Sequence, residues 1–379
     1  MNNTTNKPTK LPAATLIALA LLSPPTARAQ NDPAPTDQPP RQQTADTNDQ
    51  TERTSAENAA LDNEMTPALE RAIADSLDAL AELQREDGSF GGTRYGSNAG
   101  ITALACLAFM ADGSTTNRGP HADHIKRGLE FILDNTNETG LIAGDTSHGP
   151  MYGHGFAALF LGEVYGMTGG GPDTELSARV HDALVRAVRL IVRTQNDEGG
   201  WRYNPVPHDA DVSVTICQIM ALRSARNAGL EVPSQTIDRA VEYVRACQNN
   251  DGGFKYQLNR GGSAWPRSAA GVASLFYAGI YEDDAIDQGL RYIRDNALPG
   301  ATSPPGHYYY YGHYYAVQTM YLAGGDWWAL WWPAIRDELI SKRSPRGVWT
   351  DSAAGTAYAT AMSLIILQMP KRYLPIFQK

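Results

Sequence analysis

No stretch of this 379-residue chain alternates polar and apolar residues long enough to suggest a sheet. Nor does it contain the run of about eighteen apolar residues that a bilayer-spanning helix needs. A β architecture and a membrane-spanning one are therefore both disfavoured. Charge is sparse, at 19% of residues, and the 32 Lys and Arg against 41 Asp and Glu leave a net charge of −9. That balance gives no electrostatic support to nucleic-acid binding, so no nucleic-acid partner is expected. There are only three cysteines, Cys106, Cys217 and Cys247, and an odd number cannot form a complete disulfide framework. Each lies in an apolar helical run (TALACLAF, VTICQIMAL, YVRACQ), where it reads as a small buried hydrophobe, with a nucleophile as the alternative that nothing local supports.

Residues 31–60 hold no Ile, Leu, Val, Met or aromatic residue, and so lack the apolar surface that folding requires. The segment before them has the parts of a secretory signal. Lys7 and Lys10 precede the apolar stretch Leu11–Leu22, and Ala27-Arg28-Ala29 supplies a cleavage site. The expected organisation is a signal peptide at 1–29, a disordered linker at 30–63 and a folded domain at 64–379. No cysteine follows the cleavage site, which argues against a lipid anchor. The protein is expected to be periplasmic or secreted.

What is present is a repeat. Gln84–Phe90 reads QREDGSF, Gln195–Trp201 reads QNDEGGW and Gln248–Phe254 reads QNNDGGF. Each is Gln, three residues, Gly, one residue, aromatic. The residues upstream also recur. Arg239-Ala240 leads to Tyr243-Val244 and Gln248, and Arg186-Ala187 leads to Leu190-Ile191 and Gln195. Arg127-Gly128 and Gly289 begin copies with Thr136 and Ala297 at the Gln position, and a worn copy runs from Trp331 through Gly347 to Trp349. The result is six units of roughly fifty residues.

Each unit reads as two helices. The first is amphipathic, as Leu176, Val180, Leu184, Val188 and Ile191 show, with arginines on the other faces. The second is apolar almost all round, as in ITALACLAFM and TAYATAMSLIIL, and so must be buried on every side. An open solenoid needs polar caps. The first and last units here are as apolar as the middle ones, which favours closure. The expected fold is all-α, a single (α/α)6 toroid of six helical hairpins.

The Gln-x3-Gly-x-(Trp/Phe) pattern, with Arg-(Gly/Ala)-x2-aromatic-aliphatic upstream, resembles the QW motif of squalene cyclases and the repeats of protein prenyltransferase β-subunits. The resemblance covers about residues 65–370. It implies that the motif ties neighbouring outer helices together. Physically, the Gln is suited to orphan carbonyls of its own helix or orphan amides of the next, the glycines to a left-handed turn, and the aromatic to filling the joint. A calcium loop is excluded for QNNDGGF, because Leu258 stands where a Glu ligand is required.

The resemblance also implies a central cavity walled by the N-terminal ends of the inner helices. Those ends carry five of the eight histidines and many tyrosines. The sharpest stretch is His208-Asp209-Ala210-Asp211-Val212-Ser213. It resembles the Asp-x-Asp-Asp-Thr-Ala of squalene–hopene cyclases, whose middle Asp protonates an alkene. Val212 and Ser213 replace the last Asp and the Thr. Asp211 is thus the candidate acid, with Asp209, His154 and His313 as further catalytic candidates; an Asp that only caps its helix is the alternative. Tyr95, His148, Tyr152, Trp265, Arg267, Tyr309, Tyr311 and Asp351 are candidates for substrate binding. Helical packing can absorb some of Tyr308–Tyr311 and Tyr314-Tyr315, and the rest suit a π-rich wall around a carbocation or a sugar-stacking platform. The prenyltransferase zinc site needs Asp-x-Cys where this chain has Ser263-Ala264-Trp265. No metal or cofactor is expected, although His154, Asp211 and His313 form a set worth testing for one. Asp326-Trp327-Trp328, near the start of the sixth outer helix, reads as packing, with peripheral membrane contact as the alternative.

Three functions follow. The first is a terpenoid-cyclase-like enzyme, an isomerase or lyase, with an Asp general acid in an aromatic cavity. The second is a non-catalytic periplasmic toroid that binds a lipid, peptide or glycan. The third is a polysaccharide lyase or hydrolase in which Arg267 holds a carboxylate. Each needs a small-molecule or polymer substrate at the ring's centre.

Overall fold

The computed structural model describes residues 64–92, 94–144, 149–168, 174–301 and 308–378. The expected signal peptide and linker, and the candidate His148, lie outside them. The helices belong to the compact unit Thr54–Lys379.

Among the described residues, twelve α-helices alternate between two layers. The inner ones are α2 (Ala99–Ala111), α4 (Met151–Thr168), α6 (Val212–Asn227), α8 (Trp265–Tyr277), α10 (Tyr309–Ala323) and α12 (Thr356–Leu367). The outer ones are α1 (Pro67–Ala81), α3 (Ala122–Asp134), α5 (Thr174–Arg193), α7 (Ser234–Ala246), α9 (Asp284–Ala297) and α11 (Gly325–Lys342). Among the described residues only isolated bridges occur and no strand. Each inner helix packs against the next inner helix, and α12 returns to α2, so the inner layer closes on itself. Its helices are buried on all faces, as in α2, every residue of which is buried. The outer helices bury one stripe, such as Ile125, Leu129 and Ile132 of α3. On α11, Trp331 and Trp332 are buried while Leu330 is exposed.

The seam joins residues distant in sequence. Arg343 Nε donates to Ser76 Oγ at 2.7 Å, and Gln368 Nε2 donates to the Ala108 carbonyl at 3.0 Å. No described helix is long and apolar enough to cross a membrane. The three cysteines are free and buried, and burial pushes the Cys247 thiol up to about 11.

The Gln-x3-Gly-x-aromatic turns are joints, though not in the way the free helix ends suggest. Gln84, Gln195 and Gln248 each donate from Nε2 to two carbonyls. One is the glycine of the Gln's own turn (Gly88, Gly199, Gly252), and the other lies in the first turn of the next outer helix (His124, Thr236, Ala285), all at 2.8–3.0 Å. One amide thus spans two carbonyls, and the next helix is gripped by its backbone oxygen and not by its free N–H groups. The turn glycine has positive φ and lies flat on that helix. A Cβ on Gly88, Gly140 or Gly199 would come within 2.2–2.3 Å of the carbonyl oxygen of Arg127, Arg186 or Arg239.

The residue that closes each turn then donates its N–H to a side chain on the following inner helix. The pairs are Phe90 to Thr102, Trp201 to Thr215, Phe254 to Ser268 and Trp349 to Thr360, at 2.8–3.1 Å. These bonds fix where four of the six inner helices begin.

Gly199→Ala and Gly229→Ala separate the two costs of a turn glycine. Both have positive φ, but nothing lies within 4 Å of a Cβ on Gly229. Gly229→Ala should cost about 1 kcal/mol from the left-handed backbone alone. Gly199→Ala should cost at least about 2 kcal/mol more, because two main chains must separate. Urea unfolding of both variants checks this; equal losses would show that the close approach is not tight.

Candidate active site at the N-terminal mouth of the ring

The N-termini of the inner helices open on one face of the ring, and Asp211 sits there as the N-cap of α6. Its Oδ1 accepts the Val214 N–H at 2.9 Å. The residue is 0% exposed, and its Oδ2 makes no hydrogen bond. What faces Oδ2 is Arg202 Nε, at 3.7 Å. Burial pushes the carboxyl up to about 6, against the lowering effects of the Val214 amide and Arg202.

Arg202 is itself held in place. Its guanidinium pairs with Asp209, and it lies 5.0 Å from the Tyr203 ring centroid and 5.6 Å from that of Tyr256. The Tyr203 and Tyr256 hydroxyls share a hydrogen bond. One arginine therefore serves two carboxylates, a fully buried one and a half-buried one, under a roof of two half-exposed tyrosines. Tyr152 adds a third ring, 6.0 Å from Tyr203.

The tyrosines of α10 lie differently from the cavity wall that the sequence suggests. Tyr311 donates to the Ser213 carbonyl at 3.1 Å, Tyr315 contacts Cys217 Sγ at 3.4 Å, and Tyr314 meets Phe156 edge-on at 5.9 Å. These contacts run from α10 to α6 and α4, past α8, so the rings cross the axis they were expected to line. Tyr309 points outward, and its hydroxyl donates to Glu338 of α11 at 2.7 Å.

His154 and His313 do not join Asp211. His154 Nδ1 accepts the Ile142 N–H at 3.2 Å, which is the role Thr102 and Thr215 play in their own units. Burial pushes its pKa down to about 4, with help from Arg193 at the end of α5, so it is neutral at pH 7. His313 packs among Trp265, Tyr309 and Trp331, with centroids 4.8, 4.5 and 5.8 Å away, and burial pushes it down to about 3. Both sit between the layers, and no group of three His, Cys, Asp or Glu among the described residues is placed to hold a metal.

The remaining candidates are scattered. Trp265 packs on Gly312. Arg267 donates to the carbonyls of Phe254 and Gly262, which leaves it engaged with its own loop and not presented to a carboxylate. Asp351 Oδ1 accepts the N–H groups of Ala353 and Ala354, shaping the turn before α12. Tyr95 is half-buried where its own turn meets the core. The residues that sequence reasoning missed are Arg202, Tyr203 and Tyr256. All three lie one or two places after the aromatic that ends a turn, a register that the repeat spacing could have supplied.

A closed double ring of helices with a polar cluster at one mouth is the architecture of an α/α toroid. Residues 60–186 and 179–294 match the prenyltransferase alpha-alpha toroid domain, and the chain belongs to that family of terpenoid-cyclase-like toroids. The drimenyl diphosphate synthase of Streptomyces showdoensis is 23% identical over 191 residues, which is 50% of this chain and 33% of that enzyme. The match thus spans about a third of the relative's length. Among solved structures, the type II terpene cyclase MstE from Scytonema aligns with TM-score 0.55 and 15% identity, covering 81% of this chain and 99% of that one. An inactive variant of an alpha-1,6-mannanase from Salegentibacter, in complex with alpha-1,6-mannotriose, aligns with TM-score 0.62 and 8% identity, covering 79% and 98%. At these identities the structural likeness is one of fold.

The Asp211 environment predicts a pH dependence. Its folded pKa, about 6, lies above the ordinary carboxyl value of 3.8, so the folded state binds the proton more tightly. The contribution is fully present below about 4 and is lost as pH rises through about 6. Asp211→Asn keeps an N-capping side chain and should flatten that part of the decline in melting temperature. An unchanged slope would mean that the carboxyl titrates normally.

Proposed function

We propose that this toroid carries out acid-initiated chemistry on a small alkene-bearing molecule at the N-terminal mouth, with Asp211 as the proton donor. The observation that carries the reading is the buried Asp211 carboxyl, pushed up to about 6, with one oxygen committed to the helix cap and the other free of hydrogen bonds beneath three tyrosine rings. In the step, the O–H proton passes to one alkene carbon. The π pair forms the new C–H bond, and the cation left on the other carbon is stabilised by aromatic faces. Oδ2 is covered by Arg202, so the guanidinium must swing aside before substrate reaches it. The relatives support this substrate class: drimenyl diphosphate synthase by name, and MstE by its complex with geranylgeranyl dihydroxybenzoate.

A second reading is a glycan-binding toroid. Half-exposed Tyr152, Tyr203 and Tyr256 offer ring faces for sugars, and the mannanase supports it as a glycan-bound fold neighbour. Cleavage is less favoured than binding, because hydrolysis needs two available carboxyl groups and Asp209 is paired with Arg202. Export belongs to either reading as a proposal. Fractionation, with N-terminal sequencing that begins at Gln30, would support it.

The test is to incubate the protein with squalene, geranylgeranyl diphosphate and alpha-1,6-manno-oligosaccharides, beside Asp211→Asn. Cyclised or isomerised isoprenoid is expected, with a rate that falls at least about 100-fold in the variant. Turnover untouched by Asp211→Asn removes Asp211 as the acid. Oligosaccharide binding without isoprenoid turnover selects the second reading.

A further inference from the structure

The opposite end of the ring is covered by the chain itself. Beyond α12, the turn Met369–Lys371 packs against α10 and α12, and the turn Pro375–Phe377 packs against α4 and α6. The segment therefore crosses from one side of the inner ring to the other. Leu374, Ile376 and Phe377 are buried and join the core, and Lys371 pairs with Asp112.

A single buried carboxylate holds the far end of this segment. Glu163 of α4 is 1% exposed. It accepts the Ile376 N–H at 3.0 Å on Oε2 and the Ser224 hydroxyl at 2.6 Å on Oε1. Among the described residues no cation pairs with it. The groups facing it are the Ser224 hydroxyl from α6, the Tyr277 phenol from α8, the Tyr314 phenol from α10 and the Ile376 amide from the segment; Arg223 of α6 acts on Tyr277. A buried carboxylate with two hydrogen bonds and no counter-charge is costly to keep ionised, and burial pushes Glu163 up to about 7. A raised carboxyl favours the closed form below its ordinary value of 4.5 and weakens it as pH rises through about 7. None of this is needed to cap a helix or to build the mouth.

We propose that this end of the ring is a second binding site, for an apolar chain ending in a hydrogen-bond donor, and that residues 374–377 occupy it here as a releasable plug latched to Glu163. The plug presents what such a ligand would present: apolar side chains and one N–H aimed at the carboxylate. The proposal does not depend on the chemistry of Asp211.

The experiment uses decan-1-ol as probe, titrated calorimetrically into the full chain at about pH 5.5 and about pH 8.5. The same titration is made with a deletion of residues 372–379 and with Ile376→Pro, which removes the donor. The full chain should bind at least about tenfold more weakly than the deletion at both values of pH, because plug and probe compete for the same carboxyl. The deletion should bind one equivalent, and a synthetic peptide of residues 369–379 should compete. A folded deletion variant that fails to bind decanol, or a peptide that fails to compete, overturns the proposal. If the deletion does not fold, hydrogen exchange on the full chain at the higher pH decides. Amides of 372–378 that open together while α4 and α6 stay protected support the plug, and amides that open only with global unfolding overturn it.

Discussion

The contact on which this molecule depends is between two stretches of main chain. At Gly88, Gly140 and Gly199 the turn lies so close to a carbonyl of the next outer helix that no side chain fits between them. At Gly88 and Gly199 a glutamine amide bridges the same two backbones. A contact between backbones is indifferent to most side-chain changes, so the repeats can diverge widely and keep the same geometry. The turn sets the spacing of the outer helices. The N–H that closes the turn then pins the next inner helix, and the pins together place the mouth.

At that mouth, opposing electrostatic effects meet on one residue. The N-terminus of α6 favours a negative charge on Asp211, while burial favours a proton. Burial wins by enough to bring the carboxyl near 6. Arg202 keeps the balance from tipping further, and it can do so only because Asp209 and two tyrosine rings hold the guanidinium in place. The same arginine covers the carboxylate, so the charge balance and the access of any substrate are controlled by one side chain.

The architecture was legible because it rests on periodicity. Apolar residues on every face of the second helices imply a buried inner layer, and the recurring Gln-x3-Gly-x-aromatic turns imply equivalent joints. Asp211 at the start of an inner helix was legible for the same reason. The bonding of the glutamines was not, because two carbonyls from separate helices converge only in three dimensions. Nor was the direction of the tyrosines. A helix apolar on all sides gives no indication of which residues face the axis, so Tyr311 and Tyr315 read as wall where they span the centre, and Tyr309 read as wall where it faces α11. His154 misled in a different way. Its unusual residue type suggested chemistry, whereas its position in the repeat is that of Thr102 and Thr215, which only pin a turn. Position in the repeat was the better guide to role.

The closed seam also bears on how such a chain reaches its fold. In an open array each unit touches only its neighbours, so folding can start anywhere and end units can fray. Here Arg343 meets Ser76 across 267 residues and Gln368 meets Ala108 across 260. Those contacts form only after almost the whole domain lies between them as a closed loop. The entropy of closing that loop grows only slowly with its length, but contacts so remote in sequence tend to slow folding. Until α12 reaches α2, both helices keep a bare apolar face exposed to water. Neither end hairpin of the described ring can thus fold or unravel alone, and the seam couples its first helices to its last in one cooperative structure.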